Sequence, residues 1–141
     1  MGEPWEPQEF HDNHPQHGRR DFLDWGISFY EGILARSPNH VDVLQVLGLL
    51  YTETGDYEKG LEADQRLSII RPTDPVALYN LACSHALLRQ NDEALDALEQ
   101  AVMLGFVDFE KVSSDPDLSS LHETDRFKSI LSSIKSSESG A

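Results

Sequence analysis

The sequence predicts an all-α fold of antiparallel helix pairs stacked side by side, and three observations predict it. Pro38 and Pro72 lie 34 positions apart, and the same shift superposes Leu44 on Leu78, Leu47 on Leu81, and Gly48 on Ala82. It also aligns Gly26 with Gly60 and Ala94, Ile27 with Leu61 and Leu95, and Ile33 with Leu67 and Ala101. A repeat of this length is the mark of a stacked array of small units. Within each unit the apolar residues recur every three or four positions, which is helical spacing. Short connections rich in Gly, Pro, Asn and Asp separate the segments, so neighbouring helices must run antiparallel.

The periodicity places helices at about 20–36, 41–53, 57–70, 75–88 and 91–104. Val41, Leu44, Leu47 and Tyr51 form one stripe, and Leu78, Leu81, Ala82 and His85 its counterpart. Their partner helices read Tyr57, Leu61, Leu67, Ile70 and then Ala94, Leu95, Leu98, Ala101, Val102. Asn39 is positioned to cap the helix that starts at Val41. Gly55 can take the left-handed conformation that ends a helix, and Asp56 can cap the next. Asn91 and Asp92 stand in the corresponding turn, while Pro72 and Pro75 stop one helix and help start another. Small residues at Gly48, Gly60, Ala82, Ala94 and Ala101 let backbones approach, and Leu44, Tyr51, Leu78 and Leu98 fill the gaps. Beyond the repeats, Asp115-Pro116-Asp117 marks a turn, and Leu118 with Leu121 suggests a short helical turn. Thr124 or Asp125 can cap a last helix whose stripe is Phe127, Ile130, Leu131 and Ile134. A stack needs its final open face covered, and this helix suits that role. The divisions are therefore a disordered tail at 1–19, a helical domain at 20–135 and a second disordered tail at 136–141. The domain comprises a lone first helix (20–38), repeats at 41–74 and 75–108, and a capping segment at 109–135.

The 141 residues suggest one domain, large enough to bury a real core. Asp and Glu number 25 against 11 Lys and Arg, a formal charge of −14, which disfavours nucleic acid and anionic membrane and favours basic or apolar partners. Cys83 is the single cysteine, so an internal disulfide is excluded, and a reducing, cytoplasmic compartment is compatible with it. No apolar run approaches the ~20 residues that cross a bilayer. The opening MGEPWEPQEF lacks the basic and apolar segments of a secretory signal.

The segment from Val41 to Asp74, VDVLQVLGLLYTETGDYEKGLEADQRLSIIRPTD, resembles the tetratricopeptide repeat (TPR) closely. Leu44, Leu47, Gly48, Tyr51, Gly55, Tyr57 and Pro72 stand in that family's places. Pro75 to Asp108 resembles a second repeat through Leu78, Leu81, Ala82, Ala94, Leu98 and Ala101. DFLDWGISFYEGILARSPNH looks like the second helix of an earlier unit, and Ala82 to Phe127 resembles the segment that closes such arrays. The resemblance implies a right-handed α-α superhelix whose concave groove is lined by the first helix of each pair. It implies a groove built from Asp42, Gln45, Leu49, Glu53, Val76, Tyr79, Asn80, Cys83 and Leu87, and a role in binding a peptide or helix of a partner protein. One branch of the family grips a C-terminal carboxylate with Lys, Arg and Asn. Here no Lys or Arg occurs in 37–58 or 72–88, and Asn80 alone cannot supply charge-assisted bonds. Three positions depart from the family. PQEFHDNHPQHGR, at 7–19, carries two prolines and no apolar period where a helix would stand. Asp64 takes a slot for a bulky apolar residue, so packing there should be loose or rearranged. Phe106 replaces a proline.

Other chemistry is weaker. His11, His14 and His17, beside Glu9 and Asp12, have a spacing that could hold a divalent metal, but Pro15 interrupts a helix that would align them. Cys83 and His85 lie two apart and point to different sides of a helix, so they make no obvious nucleophile and base. Cys83 reads as a small apolar residue and His85 as a packed one. Phosphate loops, nucleophile elbows and metalloprotease helices are absent from the sequence. The sequence thus predicts a non-catalytic protein-binding adaptor that needs neither metal nor cofactor. Two alternatives stand beside it: a metal-binding or redox accessory protein using the histidines or Cys83, and a self-associating domain, such as a homodimer.

Overall fold

A computed structural model describes residues 15–139, and its elements follow the order of the stripes. They are α1 (Pro15–Arg36), α2 (Val41–Glu53), α3 (Tyr57–Ile70), α4 (Pro75–Leu87), α5 (Asn91–Met103), α6 (Phe109–Ser114), a 3-10 turn (Pro116–Leu121) and α7 (Asp125–Ser139). Consecutive helices pack as neighbours from α1 to α5, and no strand interrupts them among the described residues. The architecture is all-α.

Both ends of the domain extend further into helix than the spacing of apolar residues indicates. Residues 15–19, expected in the tail, belong to α1, which spans 22 residues. A proline at the first helical position has no amide to lose and a suitable φ, so Pro15 starts this helix rather than preventing it. Residues 136–139, likewise assigned to a tail, continue α7. Residues 1–14 lie outside the described residues, and so do His11 and His14.

The caps are set by local hydrogen bonding. His40 rather than Asn39 caps α2, its Nδ1 accepting from Val43 N at 3.4 Å. Asp56 precedes α3 but its side chain makes no cap bond; its carboxylate stands 3.9 Å from Lys59. Asp74 caps α4 through Val76 N at 2.9 Å, and Pro75 follows at the first position. Gln90, not Asn91 or Asp92, occupies the cap of α5 and makes no side-chain cap bond. Thr124 caps α7, accepting from Phe127 N at 3.2 Å.

The core divides into three clusters along the stack. Leu44, Ala63, Leu67 and Ala77 form one cluster between α2, α3 and α4. Val43, Leu47 and Tyr51 form its neighbour, against Ile27, Tyr30 and Ile33 of α1. A larger cluster joins α4 and α5 to the C-terminal segment through Leu78, Leu98, Val112, Leu121, Phe127 and Ile134. Between α2 and α3 the helices approach at Gly60, where an added Cβ would sit 3.7 Å from the Tyr51 side chain and 3.8 Å from the Gly48 carbonyl.

The 34-residue period also exposes a local conflict. Gly55 ends α2 at φ +80°, and the residue one period later is Arg89, held at φ +61° after α4. A side chain in the left-handed region meets the following carbonyl and costs roughly 1–2 kcal/mol. Arg89→Gly should therefore raise stability by about 1 kcal/mol, after allowing for the extra chain entropy of glycine. A shift of the urea midpoint to higher concentration at unchanged slope checks this; a lower midpoint would mean that Arg89's side chain contributes more than its backbone loses.

Candidate functional site

The first helices of the two pairs, α2 and α4, face a common side, and the C-terminal segment folds across part of it. Phe106 lies flat on Tyr79, with ring centroids 4.2 Å apart. The Tyr79 hydroxyl donates to Asp115 Oδ2 at 2.6 Å, and Asp115 Oδ1 accepts from Asp117 N at 3.0 Å to open the 3-10 turn. The Cys83 thiol also faces Asp115 Oδ2, at 3.8 Å. Tyr79 is consequently only 2% exposed, and Cys83 is buried. Two residues that sequence places on an open groove are covered by the chain itself.

Between these elements lies a recess of about 130 Å³. Gln45, Leu49, Tyr79, Asn80 and Cys83, all expected in the groove, line it. Asp42, Glu53, Val76 and Leu87 do not. Asp42 and Val76 are exposed on the outer turns, Leu87 is half-buried, and Glu53 forms an ion pair with Arg19 of α1. Leu49 remains 66% exposed at the rim. The recess also gathers Asp64, Lys111, Asp115 and Asp117, which sequence reasoning does not place there. The sequence signals for them are slight: an aspartate in an apolar slot at 64, and the Asp-Pro-Asp turn.

Electrostatics in the recess are dominated by burial and like charge. Burial pushes the Cys83 thiol well above its ordinary range, and the carboxylates of Asp115 and Asp117 push it further. A thiol held protonated is a poor nucleophile and a poor metal ligand. Its sulfur and one oxygen from each of Asp115 and Asp117 lie within 4.8 Å of one another. Lys111 Nζ stands beside them, 3.8 Å from Asp115. Asp117 is raised by burial first and by Asp115 second. His85, by contrast, points away to Gln90 Oε1 at 2.7 Å and forms no pair with Cys83.

A second surface is conspicuous for its exposure. Along α1, Phe22, Trp25 and Phe29 are 71%, 64% and 51% exposed, and Trp25 stacks between the other two. No helix of the described residues is long and apolar enough to cross a membrane.

Antiparallel helix pairs repeating at 34 residues, with a concave side lined by the first helix of each, define an α-helical repeat protein. Residues 75–104 match the tetratricopeptide repeat. The chain is 38% identical over 87 residues to a chloroplastic protein of Arabidopsis thaliana, covering 60% of this chain and 26% of that protein. It is 32% identical over 118 residues to the Protein CTR9 homolog of Arabidopsis thaliana, covering 80% of this chain and 10% of that one. A TPR repeat-containing protein of Picosynechococcus is 36% identical over 64 residues, covering 45% of this chain and 16% of its own length. The chain carries a tetratricopeptide repeat and is similar to proteins of that family. It spans about a quarter, or less, of the length of these relatives. A crystal structure of MamA superimposes with a TM-score of 0.69 at 23% identity, covering 92% of this chain and 76% of that one. A second MamA structure gives 0.68 at 23% identity, covering 94% and 72%. At that identity the likeness is one of fold.

Asp64 is the residue where site and stability meet. It is 5% exposed, and Ser84 Oγ donates to its Oδ2. Burial pushes its carboxyl up to about 6, against the lowering effect of the Ser84 bond and of His85. Folded Asp64 thus holds its proton over a range in which the unfolded chain, at 3.8, has lost it. Stability from this group falls as pH rises from about 4 to about 6 and stays reduced above, by roughly 3 kcal/mol. Asp64→Asn keeps an acceptor for Ser84 and removes the charge. The variant should be more stable than the parent at pH 7.5, by about 1–3 kcal/mol, and the gap should close toward pH 4. Urea unfolding of both proteins across that range checks the sign. Equal destabilisation at every pH would show that the charge is compensated in the folded state.

Proposed function

We propose that the chain is a protein-interaction module that binds a peptide or helix of a partner in the concave groove between α2 and α4, and that it acts as an adaptor without catalysis. The observation that carries this reading is the recess itself, a concavity with an exposed apolar rim at Leu49 and convergent polar groups from three elements. Similarity to that family supports a binding role, and the protonated, covered Cys83 weighs against redox chemistry. The proposed compartment is the cytoplasm, with which the single cysteine is compatible. The test is a peptide-display selection on the folded domain. Peptides that bind the groove should lose at least tenfold in affinity on Leu49→Glu, whereas Met103→Glu, on an exposed position of α5, should leave them unchanged. Selected peptides indifferent to Leu49 would remove the groove as the binding surface.

Self-association is favoured by a specific surface, and that surface is α1 rather than the groove. Phe22, Trp25 and Phe29 are spaced nearly symmetrically about Trp25, so an antiparallel second α1 would set each terminal phenylalanine against its opposite number. Light scattering should show a concentration-dependent dimer that Trp25→Glu converts to monomer with unchanged helicity. A monomer at all concentrations would dismiss this reading.

A further inference from the structure

We propose that the recess between α2, α4 and the C-terminal segment is a socket for one Lys or Arg side chain of a partner peptide. This rests on the groove reading above and gives it a chemistry.

The first observation is a carboxylate oxygen that no donor among the described residues bonds. Asp64 is only 5% exposed, and Ser84 satisfies only its Oδ2. Asp64 lines the recess, and its Oδ1 receives no hydrogen bond from the described residues. Oδ1 points at Gly48, where an added Cβ would lie 2.9 Å from it. Glycine at 48 therefore leaves open the space that this oxygen occupies. Asp64 Oδ1 is not among the buried side-chain atoms without a partner, so it keeps access to the recess, where a donor brought by a ligand can reach it and add to the single bond from Ser84.

The second observation is the charge balance. Asp64, Asp115 and Asp117 face the recess against a single cation, Lys111, among the described residues. Lys111 is already engaged, 3.8 Å from Asp115 and 5.6 Å from the centroid of the Tyr79 ring. Asp115 is satisfied by Tyr79 and by the Asp117 amide, but the Asp117 carboxylate accepts no hydrogen bond from the described residues and sits against Asp115. The unmet demand is for positive charge carrying hydrogen-bond donors. Arg supplies five and Lys three.

Size and polarity agree. A volume of about 130 Å³ holds on the order of four waters, comparable with a guanidinium or ammonium and its last methylenes. Leu49 at the rim offers an apolar surface for the stem or for a neighbouring apolar residue. A divalent ion suits the recess less well, because Lys111 already stands beside Asp115 and the Cys83 thiol is held protonated.

The decisive experiment is a cycle on the selected peptides at about 0.15 M salt, so that the general acidity of the domain is largely screened. Groove-dependent peptides, defined by their loss on Leu49→Glu, should share one Lys or Arg. Replacing it with norleucine or citrulline should weaken binding at least tenfold. Asp64→Asn should weaken the parent peptide by a similar factor but leave the substituted peptide nearly unaffected. Groove-dependent peptides without a shared basic residue would overturn the socket and leave the groove reading intact. So would an Asp64→Asn variant that weakens both peptides equally. Peptides insensitive to Leu49→Glu would overturn the groove reading and the socket with it.

Discussion

A stack of helix pairs passes its apolar face from one pair to the next, and the face of the last pair has no successor. Here that face belongs to α4 and α5, and covering it dictates the path of the remaining chain. The chain leaves the repeat at Gly105, with φ +111°, and sends Val112, Leu118, Leu121, Phe127, Ile130 and Ile134 into the same cluster as Leu98. These six side chains are buried, and each large one contributes on the order of 1.5–3 kcal/mol relative to exposure. To deliver them, the segment between Phe106 and Asp117 must cross the end of the concave side. The ring stack on Tyr79 and the bond from its hydroxyl to Asp115 follow from that crossing. Closing the core and shaping the recess are one event.

Against this background two features run counter to what packing alone would select. One is the aromatic row left on the outer face of α1; the other is Asp64, a carboxylate in a slot between helices where an apolar side chain would fill space without penalty. Sequence, packing and electrostatics agree almost everywhere else in the chain, and disagreement confined to a few positions is typical of surfaces that do something. Both features sit where a partner can reach them: α1 on the exposed end of the stack, Asp64 on the floor of an open recess. A structural role for Asp64 through Ser84 is also present. That single bond joins α3 to α4, but one neutral hydroxyl is a weak counterpart to a buried charge.

The parts of the fold that are legible in the sequence are those in which many residues repeat one instruction. Leu44, Leu47, Gly48 and their images at 78, 81 and 82 define α2 and α4 because spacing, size and period all agree. α6 escapes such a reading because six residues make less than two turns, too few for a period; Asp108 as its cap, accepting from Lys111 N, is the one local sign. Caps are legible as turns but not as atoms. His40 and Asn39 are both acceptors, and only the backbone path chooses between them. The start of α1 is hidden because Pro15 ends helices when interior and begins them when first, and spacing alone does not say which. In the recess, Leu49, Asn80 and Tyr79 come from the resemblance to a family. Asp64 and Asp117 lie 53 positions apart, and their approach depends on how the closing segment crosses the stack, a tertiary event that no local pattern encodes.

The same crossing limits what the groove can hold. Tyr79 and Cys83, which would form the apolar centre of an open groove, are spent on the chain's own segment, so a long amphipathic helix would find few apolar seats there. What remains is Leu49, the half-buried Gln45 and Asn80, and the acidic recess beneath them. A surface of that kind suits a short extended segment read at one or two positions rather than a helix read along its length. Recognition by one charged anchor in a desolvated pocket, with little surrounding area, gives specificity and ready exchange more than high affinity. On the reading proposed above, the contact would be that of a transient adaptor, shaped by the way this chain closes its last helix pair.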